Sequence, residues 1–298
     1  VIISASYRTD IPAFYGDWFR RRLDAGVVRV PNPYNPRQIS TLPLTPEHVD
    51  GFVFWTRNII PFLPVLDEVA ARGFPFIVQH TILGYPRAID RAVIAPEAAV
   101  EALWTVRTRH GSKAVVWRYD PVLFSSLTPP AWHTETFDRL AGTLAGATDE
   151  CVVSIAQVYR KTARNMARAA KTHGFTWHDP DDGEKRGALA DLAARARHHG
   201  LRLSLCGQPA LRDSTLAAAG VGEAACIDAS RMAAIAGRTI KAAAKPHRNT
   251  CACAASRDIG AYDTCPHGCA YCYAVRDPAT ARRRFKAHDS ESDTLDLR

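Results

Sequence analysis

Short apolar runs rich in β-branched and aromatic residues alternate with longer stretches of helical spacing along almost the whole chain, and this alternation most constrains its fold. The runs are Val1–Ala5, Val27–Val30, Gly51–Trp55, Phe74–Gln79, Ala114–Arg118, Cys151–Ile155, Leu201–Cys206 and Ala225–Ile227. Between them the pattern predicts helices over Tyr15–Ala25, Ile60–Ala71, Pro96–Arg109, Ala131–Ala145, Arg160–His173 and Glu184–His199, each ending near a glycine suited to a left-handed cap. Eight strands with intervening helices predict an α/β fold, a (β/α)8 TIM-like barrel over residues 1–245. A six-stranded partial barrel and an open doubly wound sheet satisfy the same pattern. Residues 246–288 form a cysteine-rich C-terminal segment expected to pack on the barrel mouth, and the polar residues 289–298 are expected to be a flexible tail.

No apolar run reaches the roughly 18–20 residues that cross a bilayer, and Val1-Ile2-Ile3 lacks the basic start and cleavage site of a signal peptide. A cytoplasmic protein without membrane contact is expected. In a reducing compartment eight cysteines point to metal or redox chemistry rather than to disulfides, and five of them fall between Cys251 and Cys272. The net charge of +8 admits nucleic acid as a partner, although no aromatic ladder for single strands accompanies it.

In a (β/α) barrel, polar residues just past the strand ends line the active site. Here nearly every expected strand supplies some: Ser6, Arg8 and Asp10, then Asn32, Tyr34 and Asn35, then Thr56, Arg57 and Asn58, and Gln157, Tyr159, Gln208 and Asp228 further on. Arg118 and Asp120 stand out as a pair beside the apolar run that ends in Arg118, and His80 is placed for acid–base work or substrate contact.

The sharpest chemistry lies at the C-terminal end, where Cys265-Pro-His-Gly-Cys269-Ala-Tyr-Cys272 brings three thiols together within eight residues. Thiolates spaced by three and two residues can converge on one iron–sulfur cluster. Three ligands leave one iron of a four-iron cluster free for another molecule, whereas a structural zinc site needs a fourth ligand such as His267. This C-x3-C-x2-C spacing, with Tyr271 before the last cysteine, resembles the motif of the radical S-adenosylmethionine superfamily. The resemblance implies a [4Fe-4S] cluster that chelates S-adenosylmethionine at its open iron, cleaves it reductively to a 5′-deoxyadenosyl radical and draws electrons from a flavodoxin- or ferredoxin-like donor. Tyr271, Arg57 and Asn58 are the candidates for contact with the cofactor.

The stretches Phe54–Asn58, Trp117–Pro121, Cys226–Asp228 and Ser256–Tyr262 also resemble an uncharacterised domain-of-unknown-function family with a C-terminal cysteine motif. In the radical superfamily the motif ordinarily follows the first strand of a partial barrel, whereas here it follows all the expected strands, so a permuted barrel is the form the resemblance implies. The thiamine-pyrimidine synthase family is similar in placing its cluster in a C-terminal segment. Cys206, Cys226, Cys251 and Cys253 make a further set of four thiols, enough for a fully ligated second [4Fe-4S] cluster or a zinc ion. A metal-dependent hydrolase or nuclease, and a zinc-stabilised barrel protein that binds nucleic acid, are the competing functions. The substrate is not legible.

Overall fold

The computed structural model describes residues 1–245 and 251–295; the expected domain boundary at 245/246 and the last three residues of the expected tail border or fall on residues outside this range. Its centre is a sheet of eight parallel strands. In chain order the strands of the molecule are β1 (Ile2–Ala5), β2 (Val27–Asn32), β3 (Asn35–Pro43), β4 (Gly51–Thr56), β5 (Phe76–Thr81), β6 (Val115–Val122), β7 (Glu150–Ile155), β8 (Arg202–Leu205), β9 (Gly222–Glu223) and β10 (Ser256–Asp258). The spatial order of the large sheet is β10-β1-β4-β5-β6-β7-β8-β9. The helices are α1 (Ile11–Phe14), α2 (Gly16–Asp24), α3 (Leu63–Ala71), α4 (Pro96–His110), α5 (Pro130–Leu144), α6 (Arg160–His173), α7 (Asp182–His198), α8 (Ser214–Ala218), α9 (Ala229–Ala236) and α10 (Pro278–Lys286).

Alternation along each strand divides the core in two. Phe52, Phe54, Phe76, Val78, Trp117, Tyr119, Cys151 and Val153 face the helices and join one apolar cluster with the buried sides of α2, α3, α4, α5 and α7. Phe19 of α2 meets Phe52 and Phe54 edge-on at 5.4 Å, the favoured geometry for two quadrupoles. Ile2, Val53, Ile77, Val116 and Val152 point to the opposite face, where Ala224, Cys226, Ile227, Met232, Ile240, Cys253 and Ala254 cover them. A Cβ at Gly51 would stand 2.5 Å from the Met232 sulfur, so this strand start must be glycine for α9 to pack there.

Four findings correct the sequence expectations. The (β/α)8 barrel is not formed by strand pairing: the ladder runs from β10 to β9 with no pairing between these two edges among the described residues. A closed barrel fills its inner face with its own side chains, but here the segment around α9 takes that place. Val27–Val30 is a strand of a separate antiparallel hairpin, β2 with β3, and β3 is almost wholly exposed, so its sequence lacks the apolar run that marks a buried strand. Ala225–Ile227 is not a strand, because Cys226 and Ile227 turn into the second core, and the edge strand β9 precedes it. The tail expectation also changes: Trp18 Nε1 donates to the Ser292 carbonyl at 3.0 Å, Arg29 N donates to the Asp293 carbonyl at 2.9 Å, and Leu295 is buried. No helix among the described residues is long and apolar enough to cross a membrane.

Candidate active site

Because the eight strands are parallel, their C-terminal ends share one edge, and a cavity of about 600 Å³ opens there. The residues after β1 contribute Ser6, Arg8 and Asp10; β4 and its end contribute Trp55 and Arg57; Arg118 and Asp120 come from β6. Cys265, Cys269 and Cys272 line the same cavity, as do Cys206, Cys226, Cys251 and Cys253. All seven are free thiols.

The motif is delivered to this edge by β10. A short polar strand of sequence Ser-Arg-Asp has little apolar surface to bury, and what fixes it is Asp258. This carboxylate accepts hydrogen bonds from Ser4 Oγ at 2.8 Å, Ser6 Oγ at 2.7 Å, Tyr7 N at 3.0 Å and Arg8 Nε at 2.8 Å, tying β10 to the end of β1. Gly260 then passes so close that a Cβ would lie 2.0 Å from Ser6 Oγ. The motif loop is pinned from the other side by main-chain bonds, Ala270 N to Ile89 O at 2.9 Å and Ala92 N to His267 O at 3.0 Å. Tyr15 of the α1–α2 junction adds its hydroxyl, which donates to Thr264 O at 2.7 Å.

Arg57 is the electrostatic centre of this side. It clamps Asp90 with both terminal nitrogens, at 3.0 and 2.6 Å, reaches the Cys269 sulfur at 3.5 Å and donates to the Tyr271 hydroxyl. Burial opposes its charge, but Asp90, Tyr271 and Cys269 outweigh that and hold the guanidinium well above its ordinary pKa. The three thiols have the opposite fate. Burial pushes Cys265 and Cys269 up strongly, with Asp10 adding to the first and Asp90 to the second, and burial raises Cys272 as well. Backbone donors of His267 and Asp10 at Cys265, and of Ala274 and Val275 at Cys272, pull the other way.

These features fit a cluster held by three cysteines. The thiols stay protonated on their own, so a bound cation is what would ionise them, and peptide donors already face two of the sulfurs. Among the described residues, no group of three or more His, Cys, Asp and Glu side chains is arranged to hold a single metal ion. His267 is engaged elsewhere: Nε2 lies 2.8 Å from Asp10 Oδ2 and Nδ1 lies 3.3 Å from the Ala92 carbonyl. It is therefore not free to close a tetrahedral zinc site.

Among the residues singled out from the sequence, Arg57 and Tyr271 meet at Cys269, whereas Asn58 turns away to accept from Ile60 N at 3.1 Å. Arg118 and Asp120 are paired, with Nε 3.1 Å from Oδ2. Arg118 also stacks over Trp55 at 5.0 Å, and Asp120 receives the Ser154 hydroxyl. His80 is fully buried and lies outside the cavity wall, and neither ring nitrogen has a well-formed hydrogen bond among the described residues. Burial pushes it down to about 4, so it is neutral at pH 7. Asp90 and Asp258 were missed as site residues. A lone aspartate carries no spacing signal, and its role follows from which chain segment comes to lie beside it.

Comparison with curated proteins and with solved structures gives no match. A family model described as a domain of unknown function, DUF1848, matches residues 2–274, which includes every strand of the sheet and the whole cysteine motif, and the chain belongs to this family.

Proposed function

We propose that the protein is a radical S-adenosylmethionine enzyme whose four-iron cluster is held by Cys265, Cys269 and Cys272. The observation that carries this reading is the position of the motif: it follows β10 and sits at the C-terminal edge of a parallel sheet, with its three thiols in the wall of one cavity. β10 is late in the chain but first in space, and β1, β4, β5, β6, β7 and β8 follow it in order. On this reading the eight-stranded parallel sheet is a partial barrel whose motif-bearing first strand has been moved to the C-terminal end of the sequence.

When bound, the cluster would supply an electron to the sulfonium of S-adenosylmethionine and release a 5′-deoxyadenosyl radical; that hard chemistry belongs to the cofactor. The chain positions and shields it. Arg57, fixed by Asp90, holds a positive charge against Cys269 and Tyr271. Asp10 and His267 brace the loop between its first two cysteines. Tyr7, Trp55 and Tyr262 give the cavity aromatic walls. Arg118 and Asp120, with Ser154, offer a polar floor for substrate. The electron must come from outside the chain, from a flavodoxin- or ferredoxin-like donor.

The test is anaerobic purification with iron and sulfide analysis, followed by incubation with S-adenosylmethionine and dithionite. About four irons per chain at this site are expected, together with 5′-deoxyadenosine and methionine, and both products vanish in Cys269→Ala. A colourless chain that holds zinc on the motif and leaves S-adenosylmethionine intact defeats the proposal.

A further inference from the structure

We propose that Cys206, Cys226, Cys251 and Cys253 form a second thiolate metal site, for an iron–sulfur cluster or a zinc ion, that staples the seam between the two edges of the sheet. The four come from three separate places in the chain. Cys206 follows β8, Cys226 follows β9 at the far edge, and Cys251 and Cys253 precede β10 at the opposite edge. The fold nonetheless brings them into one cavity wall.

Three of the four make contacts through sulfur, and Cys251 lines the same cavity. Cys206 and Cys226 stand with Sγ atoms 3.3 Å apart, and the Cys253 sulfur accepts from Ile227 N at 3.5 Å, one residue beyond Cys226. Ala254 N donates to the Ile227 carbonyl at 3.0 Å, so the chain leaving β9 and the chain entering β10 touch directly beside the thiols. A guanidinium is built in as well: Arg118 Nη1 lies 3.0 Å from the Cys226 sulfur and is itself buried. Cysteines that serve only as small apolar residues have no need to gather by sulfur, or to face a buried cation. Four thiolates close a tetrahedral zinc ion or cap all four irons of a cluster, and both centres are net negative and favour a neighbouring arginine. Among the described residues these side chains do not surround one point, so the proposed metal would have to draw the four sulfurs together as they lose their protons.

This inference does not rest on the reading of the motif, and its test uses a chain from which the motif thiols are removed. Full-length C265A/C269A/C272A is purified without oxygen, and iron, zinc and sulfide are measured per chain. One centre is expected to remain, as about four irons with sulfide or as about one zinc. Adding Cys206→Ala and Cys251→Ala should lower that metal at least tenfold. A folded, metal-free triple variant overturns the proposal. So does metal that survives both added changes, or a chain two mass units light from a Cys206–Cys226 disulfide in oxygen-free material. Should the triple variant not fold, Cys206→Ala with Cys251→Ala in the native chain decides: both side chains are half-buried, only two thiols of the seam then remain, and loss of one centre supports the site while unchanged metal refutes it.

Discussion

The two cysteine groups in the cavity share a design and differ in how the chain builds them. In each, an arginine largely shielded from solvent is held between a carboxylate and a cysteine sulfur: Arg57 between Asp90 and Cys269, and Arg118 between Asp120 and Cys226. In each, an aromatic ring lies against the guanidinium, Tyr271 at 6.0 Å and Trp55 at 5.0 Å. The motif side is pinned by main-chain bonds to Ile89 and from Ala92 to His267, and by the Asp10–His267 pair. The seam side rests on the Ala254–Ile227 contact and on side chains. A site made from one loop can be rigid by itself, whereas a site made from two sheet edges draws its rigidity from what bridges them.

The sharpest way to break the comparison is to exchange one thiol on each side. Cys269→Ala is expected to reduce 5′-deoxyadenosine formation at least a hundredfold, while Cys251→Ala leaves cofactor cleavage within a few-fold of native and lowers the melting temperature instead. Equal losses of cleavage in both would mean that the groups form one functional unit. Next come the arginines. Arg57→Ala strands Asp90, whose side chain is 3% exposed, and loss of one partner of a buried pair costs about 3–5 kcal/mol. Asp120 is 20% exposed and keeps the Ser154 hydroxyl, so Arg118→Ala should cost less, about 1–3 kcal/mol. Denaturant unfolding of the two variants measures the gap, and a larger loss for Arg118→Ala would reverse the ranking of the two sides.

Protons separate the sides further. His80, coupled to Asp10 and Arg57 on the motif side, is pushed down by burial from 6.5 to about 4. The unfolded chain binds a proton below pH 6.5 while the folded chain does not, so this stability is complete above that pH and is lost as pH falls toward 4. Its size is about 3 kcal/mol. His80→Leu should flatten the decline by about one proton, read from unfolding free energies between pH 7 and 4.5. An unchanged slope would show that His80 is already charged in the folded protein.

Much of the fold was legible because buried parallel strands write continuous apolar runs. Gly51–Trp55, Cys151–Ile155 and five of the six expected helices appear where periodicity places them to within a residue or two, and α3 starts three residues after the expected Ile60. The failures are elements whose stability comes from elsewhere in the chain. β10 is polar and is held by a carboxylate that the serines of β1 and its exit recognise; β3 is exposed; and Cys226–Ile227 looks like a strand but serves as core filling. The same division holds for the site. Three cysteines in eight residues announce themselves, and Arg118 and Asp120 lie two positions apart, but no spacing foretells that Asp90 would clamp Arg57 or that Cys206 would meet Cys226.

The C-terminal tail offers the mildest test, because it loads the motif side alone. Phe285 and His288 pack edge-on against Tyr15, at 5.7 and 4.8 Å, and Tyr15 is the residue whose hydroxyl holds Thr264 just before the motif. Behind them, Leu295 is buried, its carbonyl lies 3.1 Å from His288 Nδ1, and the Ser292 carbonyl caps the Trp18 indole. Removing residues 289–298 takes away the buried Leu295 and the carbonyl partners of Trp18 Nε1, Arg22 Nη2 and Arg29 N, each lost partner costing about 1–3 kcal/mol where the donor is buried. Hydrogen exchange should then rise at residues 261–275 and stay unchanged at 222–227. Increased exchange at both would show that the seam leans on the motif side after all, and that the two sites are mechanically one.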